Sequence, residues 1–322
     1  AHYPVNGGGI NAICFHPTRP LLAAGTQDGA VALWDTSPPR EIRRLRGHHG
    51  AAWCAAFSPD GRWLASGGDD GAVRLWNVAD GEEAAVFSGH ADAVLSVAFS
   101  PDSRLLASGS RDHTIRLRRV ADGREMAILA GHADEVWCVR FTPDGKRLLS
   151  TSWRGDHTLA VWDIAERRMI QTLLIPDWPP AKSGLRFALH PDGNIAATST
   201  NANGAIMLWN IAAGQEIRAL RGHSQTILSL DFSPDGTLLA SGSEDNTVKL
   251  WQVADGRELA TLKPHANDVR SVAFSRDGLT LASGGLDGRL AFRYVREACH
   301  FDLDELLAQG CCWLRSYLAH HP

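Results

Sequence analysis

A unit of about forty-two residues recurs seven times along this chain of 322 residues. Most copies close on an aliphatic residue followed by tryptophan: Leu33-Trp34, Leu75-Trp76, Val161-Trp162, Leu208-Trp209 and Leu250-Trp251. The third copy closes at Leu117-Arg118 and the seventh near Phe292-Arg293. Equivalent positions 34, 76, 118, 162, 209, 251 and 293 are separated by 42, 42, 44, 47, 42 and 42 residues. A period of this size marks stacked supersecondary units, each too small to bury its own apolar face. The repeat overrides the two domains that length alone suggests. It also weights the functional reading, because such folds usually present a binding surface rather than a catalytic centre.

The third copy shows the grammar. Gly89-His90 precedes Val94-Leu95-Ser96-Val97-Ala98-Phe99, followed by the turn Ser100-Pro101-Asp102-Ser103. Leu105-Leu106-Ala107-Ser108-Gly109, Arg111-Asp112-His113, Thr114 to Arg118 and Ala121 to Leu129 complete it. These are four short β runs separated by turn chemistry. Pro with Asp and Gly punctuates the first turn (Ser58-Pro59-Asp60-Gly61, Ser233-Pro234-Asp235-Gly236), because Pro pre-sets φ and Gly tolerates positive φ. The second turn is tight, as at Asp70-Gly71, and the third carries Ala-Asp-Gly, a hairpin signal. Four antiparallel strands repeated radially describe a propeller blade.

Gly-His, Ser-Pro-Asp-Gly, Leu-Ala-Ser-Gly-Ser and an Asp six residues before Trp together resemble the WD-repeat family over roughly residues 7–295. The resemblance implies an all-β, seven-bladed propeller of four-stranded antiparallel blades, with strands a to d running from centre to rim. We assign residues 1–300 to it. The outer strand of the last blade then comes from residues 1–5 or from 296–301, and the first is preferred. Two blades are irregular. Blade five has Ile175-Pro176-Asp177-Trp178-Pro179-Pro180 in place of Gly-His, and Thr200 to Gly204 enlarges its tight turn. Blade four has an extra residue in the turn Ser152-Trp153-Arg154-Gly155-Asp156. After residue 300, Leu303, Leu306, Leu307, Trp313, Leu314, Tyr317 and Leu318 fall on one helical stripe. This predicts a helical cap over 301–322. The same tail resembles the end of WD-repeat regions in bacterial multidomain signalling proteins. That implies a fused upstream effector domain of NTPase, kinase or protease type, and the abrupt start without Met suggests a piece of a longer protein.

Composition narrows the partners. A formal charge of −4 gives no electrostatic footprint for nucleic acid or an anionic membrane. The longest apolar runs are strand-length, and no signal-peptide pattern opens the chain. Six cysteines show no disulfide framework and no zinc spacing, which favours a reducing, cytoplasmic setting. No Walker loop is present, and no cofactor or metal is expected.

Ser, His and Asp recur in a pattern that invites comparison with a hydrolase. Blade two offers His48, Ser66, Asp70 and Trp76; blade four His132, Thr151, Asp156 and Trp162; blade six His223, Ser241, Asp245 and Trp251. An enzyme needs one such group, not several, and no Gly-x-Ser-x-Gly elbow exposes a serine. The family resemblance implies an internal hydrogen-bond chain tying the d–a loop to strands b and c. Blades three and seven carry Arg118 and Arg293 for Trp, and blade one has Asn6 and Ala24 for His and Ser. Blade five has Asn203 for Asp and lacks the His. These blades are expected to lean more on apolar packing.

In the same family, partners are usually taken on the face bearing the d–a and b–c loops, at positions flanking the start of strand a and preceding the tight-turn Asp. Those positions here give Trp53, Leu95, Trp137 and Leu185, with Glu135, Asp69 and Arg111 at the rim and Trp153 and Trp178 in the unusual loops. Tryptophan ringed by charge is the composition of a binding hot spot. Surface exposure is expected for Trp53 and Trp137. Trp153 and Trp178 are equally compatible with cover by neighbouring loops or a fused domain. The first reading is a non-catalytic protein- or peptide-binding or ligand-sensing scaffold, the sensor of a larger cytosolic signalling protein. The alternatives are a hub for homo-oligomerisation and a channel-centred propeller enzyme; the latter needs converging carboxylates or histidines that these apolar positions do not offer.

Overall fold

The computed structural model describes residues 2–152, 158–175, 186–200 and 204–295. Within them twenty-eight strands form seven four-stranded antiparallel sheets, and neighbouring sheets meet through their inner strands. The chain is the seven-bladed all-β propeller that the repeat predicts. The 301–322 segment lies outside the described residues, as do Trp153, Asp156, Trp178, Leu185 and Asn203.

Blade three is representative. Strands Val94–Phe99, Leu105–Ser110, Thr114–Arg119 and Glu125–Ala130 pair in chain order. In the first turn the Ser100 hydroxyl donates to Asp102 at 2.6 Å and accepts the Leu105 N–H at 2.8 Å, so the turn satisfies its own polar groups. Ser103 stands here at a φ of 61°, where five other blades place glycine at φ between 69° and 77°.

Two register breaks recur around the ring. One lies between strands a and b, as at Ala52/Cys54, Val94/Ser96 and Val136/Cys138. In six blades it leaves one residue unpaired near the start of strand a. A β-bulge of this kind kinks the strand and re-aims the extra side chain. The other lies between strands c and d beside the tryptophan, as at Leu75/Trp76 and Leu250/Trp251.

Ring closure takes the preferred route. His2–Pro4 is the outer strand of blade seven, pairing His2 with Ala291, Tyr3 with Leu290 and Pro4 with Arg289. Seven apolar clusters then fill the gaps between successive blades. At the closing seam Tyr3 packs edge-on against Trp34 (6.2 Å) and Phe292 (5.9 Å). Blades are also stitched by polar contacts along the channel. The Ser96, Ser229 and Ser271 hydroxyls accept the N–H of Val139, Val272 and Ile13 in the next blade at 3.0–3.1 Å.

Candidate functional site at the channel mouth

The histidine chains are internal. His48 Nδ1 lies 2.9 Å from Asp70, its Nε2 lies 2.8 Å from Ser66 Oγ, and Trp76 Nε1–H donates to the same oxygen at 2.9 Å. Blade six repeats this with His223, Asp245, Ser241 and Trp251 at 2.7–2.8 Å. One neutral arrangement satisfies every group: Trp N–H to Ser, Ser O–H to Nε2, and Nδ1–H to Asp. Burial, outweighing the Asp partner, holds His48, His90 and His265 below the usual imidazole value. Ser66 and Ser241 retain 0% exposure, so no substrate carbonyl reaches them.

Two details of blade four differ from the sequence reading. In blade four the network hydroxyl is Ser150, not Thr151: Ser150 Oγ meets His132 Nε2 at 2.6 Å and accepts the Trp162 N–H at 2.7 Å. Ser150 and Trp162 are twelve residues apart, against ten for Ser66 and Trp76, so the turn between them holds two extra residues rather than one. Counting back from the tryptophan through an enlarged turn shifted the assignment by one. Blades three and seven keep the His–Asp–Ser part in full, at 2.8 Å for His90 to both Asp112 and Ser108, and for His265 at 3.0 Å to Asp287 and 2.8 Å to Ser283. They lack only the tryptophan. In blade one the defect is real. Trp34 Nε1 is buried without a hydrogen-bond partner, because Ala24 supplies no hydroxyl.

Of the predicted contact residues, the six that are described, Trp53, Leu95, Trp137, Glu135, Asp69 and Arg111, come together at the mouth of the channel, on the d–a and b–c loop face. Trp53, Leu95 and Trp137 are the bulged residues of strands a in blades two, three and four. They pack on one another and on Ala93 as a separate apolar cluster. Their exposure departs from expectation. Leu95 keeps 2% and Trp137 only 7%, while Trp53 is half-buried. Trp137 is sandwiched rather than presented. Its Nε1–H donates to Glu135 at 3.1 Å, and the Arg186 guanidinium lies 4.9 Å from its ring centre.

The charged rim sits above this cluster. Trp53 Nε1–H donates to exposed Asp69, which also accepts the Ala51 N–H at 2.9 Å. Arg111 bridges Glu135 at 3.4 Å and Asp92 at 3.9 Å. Burial raises the Glu135 carboxyl, against the opposing pull of Arg111 and the Trp137 N–H.

Deeper in, the sequence reading missed the charges of the channel wall. Arg186 occupies the strand-a position that Cys54, Ser96 and Cys138 hold elsewhere, and Arg140 and Asp231 share the position just before the strand-ending aromatic. The signal was present as charged residues inside apolar strands, Val139-Arg140-Phe141 and Leu230-Asp231-Phe232. Asp231 accepts the Phe274 N–H at 2.8 Å, and burial pushes its carboxyl up to about 6. Burial likewise pushes the Cys14 and Cys54 thiols up to about 12. Among the described residues no three His, Cys, Asp or Glu side chains converge as metal ligands.

Six segments, residues 1–35, 39–77, 81–118, 123–163, 214–252 and 256–292, match the family described as WD domain, G-beta repeat. The chain belongs to the WD40 family. The unmatched stretch between 163 and 214 holds the outer strand of blade four and the inner three of blade five, the blade without Gly-His. Segments resemble several eukaryotic proteins. A Periodic tryptophan protein 2 homolog from Schizosaccharomyces pombe is 38% identical over 61 residues, 19% of this chain and 7% of that protein. A Guanine nucleotide-binding protein subunit beta from Oryza sativa subsp. japonica is 28% identical over 96 residues, 29% of this chain and 25% of that one. The human WD repeat and SOCS box-containing protein 1 is 30% identical over 84 residues, 26% and 19%. The matches thus span at most a quarter of these relatives' length. Family membership implies an interaction scaffold. No helix among the described residues is long and apolar enough to cross a membrane.

Proposed function

We propose that this WD40 propeller is a non-catalytic module that takes a protein or peptide partner on its d–a and b–c loop face. It acts there as the cytosolic sensor of a larger signalling protein, whose effector domain, of NTPase, kinase or protease type, lies upstream. The carrying observation is the rim: Asp69, Arg111 and half-buried Trp53 stand around a packed apolar floor of Leu95 and Trp137. Bulges repeated in successive blades hold this arrangement rigidly, so a partner meets a pre-organised surface. With Trp137 buried, its role passes from anchor to floor, and Trp53, Asp69 and Arg111 become the contacts.

A photo-crosslinking residue in place of Asp69 or Arg111, in the protein expressed in its own cells, is expected to capture a discrete partner. The same residue at Arg104, in an a–b turn on the opposite face, is expected to capture none. Crosslinks arising mainly from Arg104 would refute the assignment. Capture of a second copy of the chain, with a dimer mass by light scattering, would replace it with the oligomerisation hub.

A further inference from the structure

Three arginines, Arg140, Arg186 and Arg270, line one cavity of about 80 Å³ just inside the loop-face mouth, together with Asn11 and Trp53. Elsewhere on the propeller several partly buried arginines are anchored on carboxylates, Arg44 on Glu41 and Arg74 and Arg116 on Glu83 and Glu125, while Arg218 and Arg293 rest on backbone carbonyls near the surface. Two of the three in the channel are not, and the third is held by one contact. Among the described residues Arg140 and Arg186 have no ion-pair partner. Arg140 donates to the Val139 carbonyl at 2.9 Å, and Arg186 reaches the Trp137 carbonyl at 3.5 Å. Arg270 approaches only Asp268, at 3.6 Å, and its Nε is buried without a hydrogen-bond partner.

Guanidinium groups stay protonated, so the cavity concentrates like charge where water screens it poorly. The Arg186 guanidinium is held below its ordinary value by burial, with Arg270 and Arg140 adding repulsion. The Cys54 thiol on the same wall is neutral, its ionisation pushed up to about 12 by burial. Among the described residues the channel carboxylate in reach of Arg140 is Asp231, on the chamber below. Planar forks of N–H donors with no carboxylate to match, as at Arg140 and Arg186, are the complement of an oxyanion. The volume fits one: it equals two or three waters at about 30 Å³ each, room for a phosphate or carboxylate group. Arg140 is exposed to the lumen, so an ion can reach it.

We propose that the loop-face mouth of the channel is an oxyanion site, holding a phosphate or carboxylate group among Arg140, Arg186 and Arg270. The group comes either as a free small ion or on the side chain of a docked peptide. The site is independent of the loop-face reading, since free phosphate tests it without a peptide.

The test is thermal shift and titration calorimetry of the whole chain with inorganic phosphate, against sodium chloride at matched ionic strength. Phosphate is expected to raise Tm saturably and chloride not. Arg186→Gln and Arg140→Gln are expected each to weaken phosphate roughly tenfold or more, the effect of one lost charged hydrogen bond. Arg62→Gln, exposed on the opposite face, is expected to leave affinity unchanged. Should Arg186→Gln fail to fold, Arg140→Gln alone decides. Absence of saturable binding, or equal phosphate affinity in the parent and Arg140→Gln, overturns the proposal. A short phosphoserine peptide binding more tightly than phosphate assigns the site to a docked side chain; equal or weaker binding assigns it to a free ion.

Discussion

Asp245 and Asp70 each hold an imidazole, a backbone N–H from the d–a loop and a tight turn in one place. Replacing either by Ala leaves a buried histidine and two amides unpaired, at about 1–3 kcal/mol. Asp245→Ala is expected to lower Tm by several degrees in calorimetry while the protein stays folded. The reverse holds in blade one. Ala24→Ser places a hydroxyl beside the orphan Trp34 Nε1 and is expected to add on the order of 0.5–1.5 kcal/mol by denaturant titration. Titration follows the same groups. Histidines depressed in the fold contribute stability that is full above about pH 6.5 and lost as pH falls. Burial works against the Asp112 carboxylate, yet Thr114, the Ala91 N–H and His90 hold it at about 2. Its contribution is therefore lost between about pH 4 and pH 2. Asp231 has the opposite sign, raised to about 6, so its contribution is lost as pH rises through that value. Melting curves are expected to fall on acidification, and Asp231→Asn is expected to gain on the parent as pH rises from about 4 to about 6 and to keep that margin above it.

At the scale of elements, the ring depends on a three-residue strand. His2–Pro4 pairs with blade seven and brings Tyr3 between Trp34 and Phe292, at a seam where Ala24 and Arg293 interrupt the histidine chain. Truncating Tyr3 to Ala removes both ring contacts and is expected to cost about 2–4 kcal/mol. Hydrogen exchange should show blades one and seven losing protection first. Uniform loss around the ring would mean that the seam is not the weak point. Blade four shows why sequence counting failed at Thr151. Strand b alternates faces, so a slip of one moves the assigned hydroxyl from the network to the other side of the sheet. The slip arose in an enlarged turn, where the period of the repeat stops being a ruler.

For the whole molecule, the periodicity carried blade number and strand order, because every blade repeats the same turn and packing chemistry, whereas the closing strand was a preference between two segments that the pairing of His2–Pro4 decides. The site was legible only in part. Position in the repeat located Trp53, Leu95 and Trp137 at one mouth, but burial depends on what leans on each ring. Arg186 over Trp137 comes from the blade whose d–a loop departs most from the pattern. The channel charges Arg140 and Asp231 lay at positions that are apolar or cysteine in the other blades, and so read as core. The claim that the loop face does the work is most directly tested by calorimetry with a peptide selected against the intact propeller from a random display library. Trp53→Ala and Arg111→Ala are each expected to weaken it at least about tenfold, as loss of a central contact does, with Arg104→Ala unchanged. Affinity that survives both loop-face changes and falls with Arg104→Ala would contradict the account.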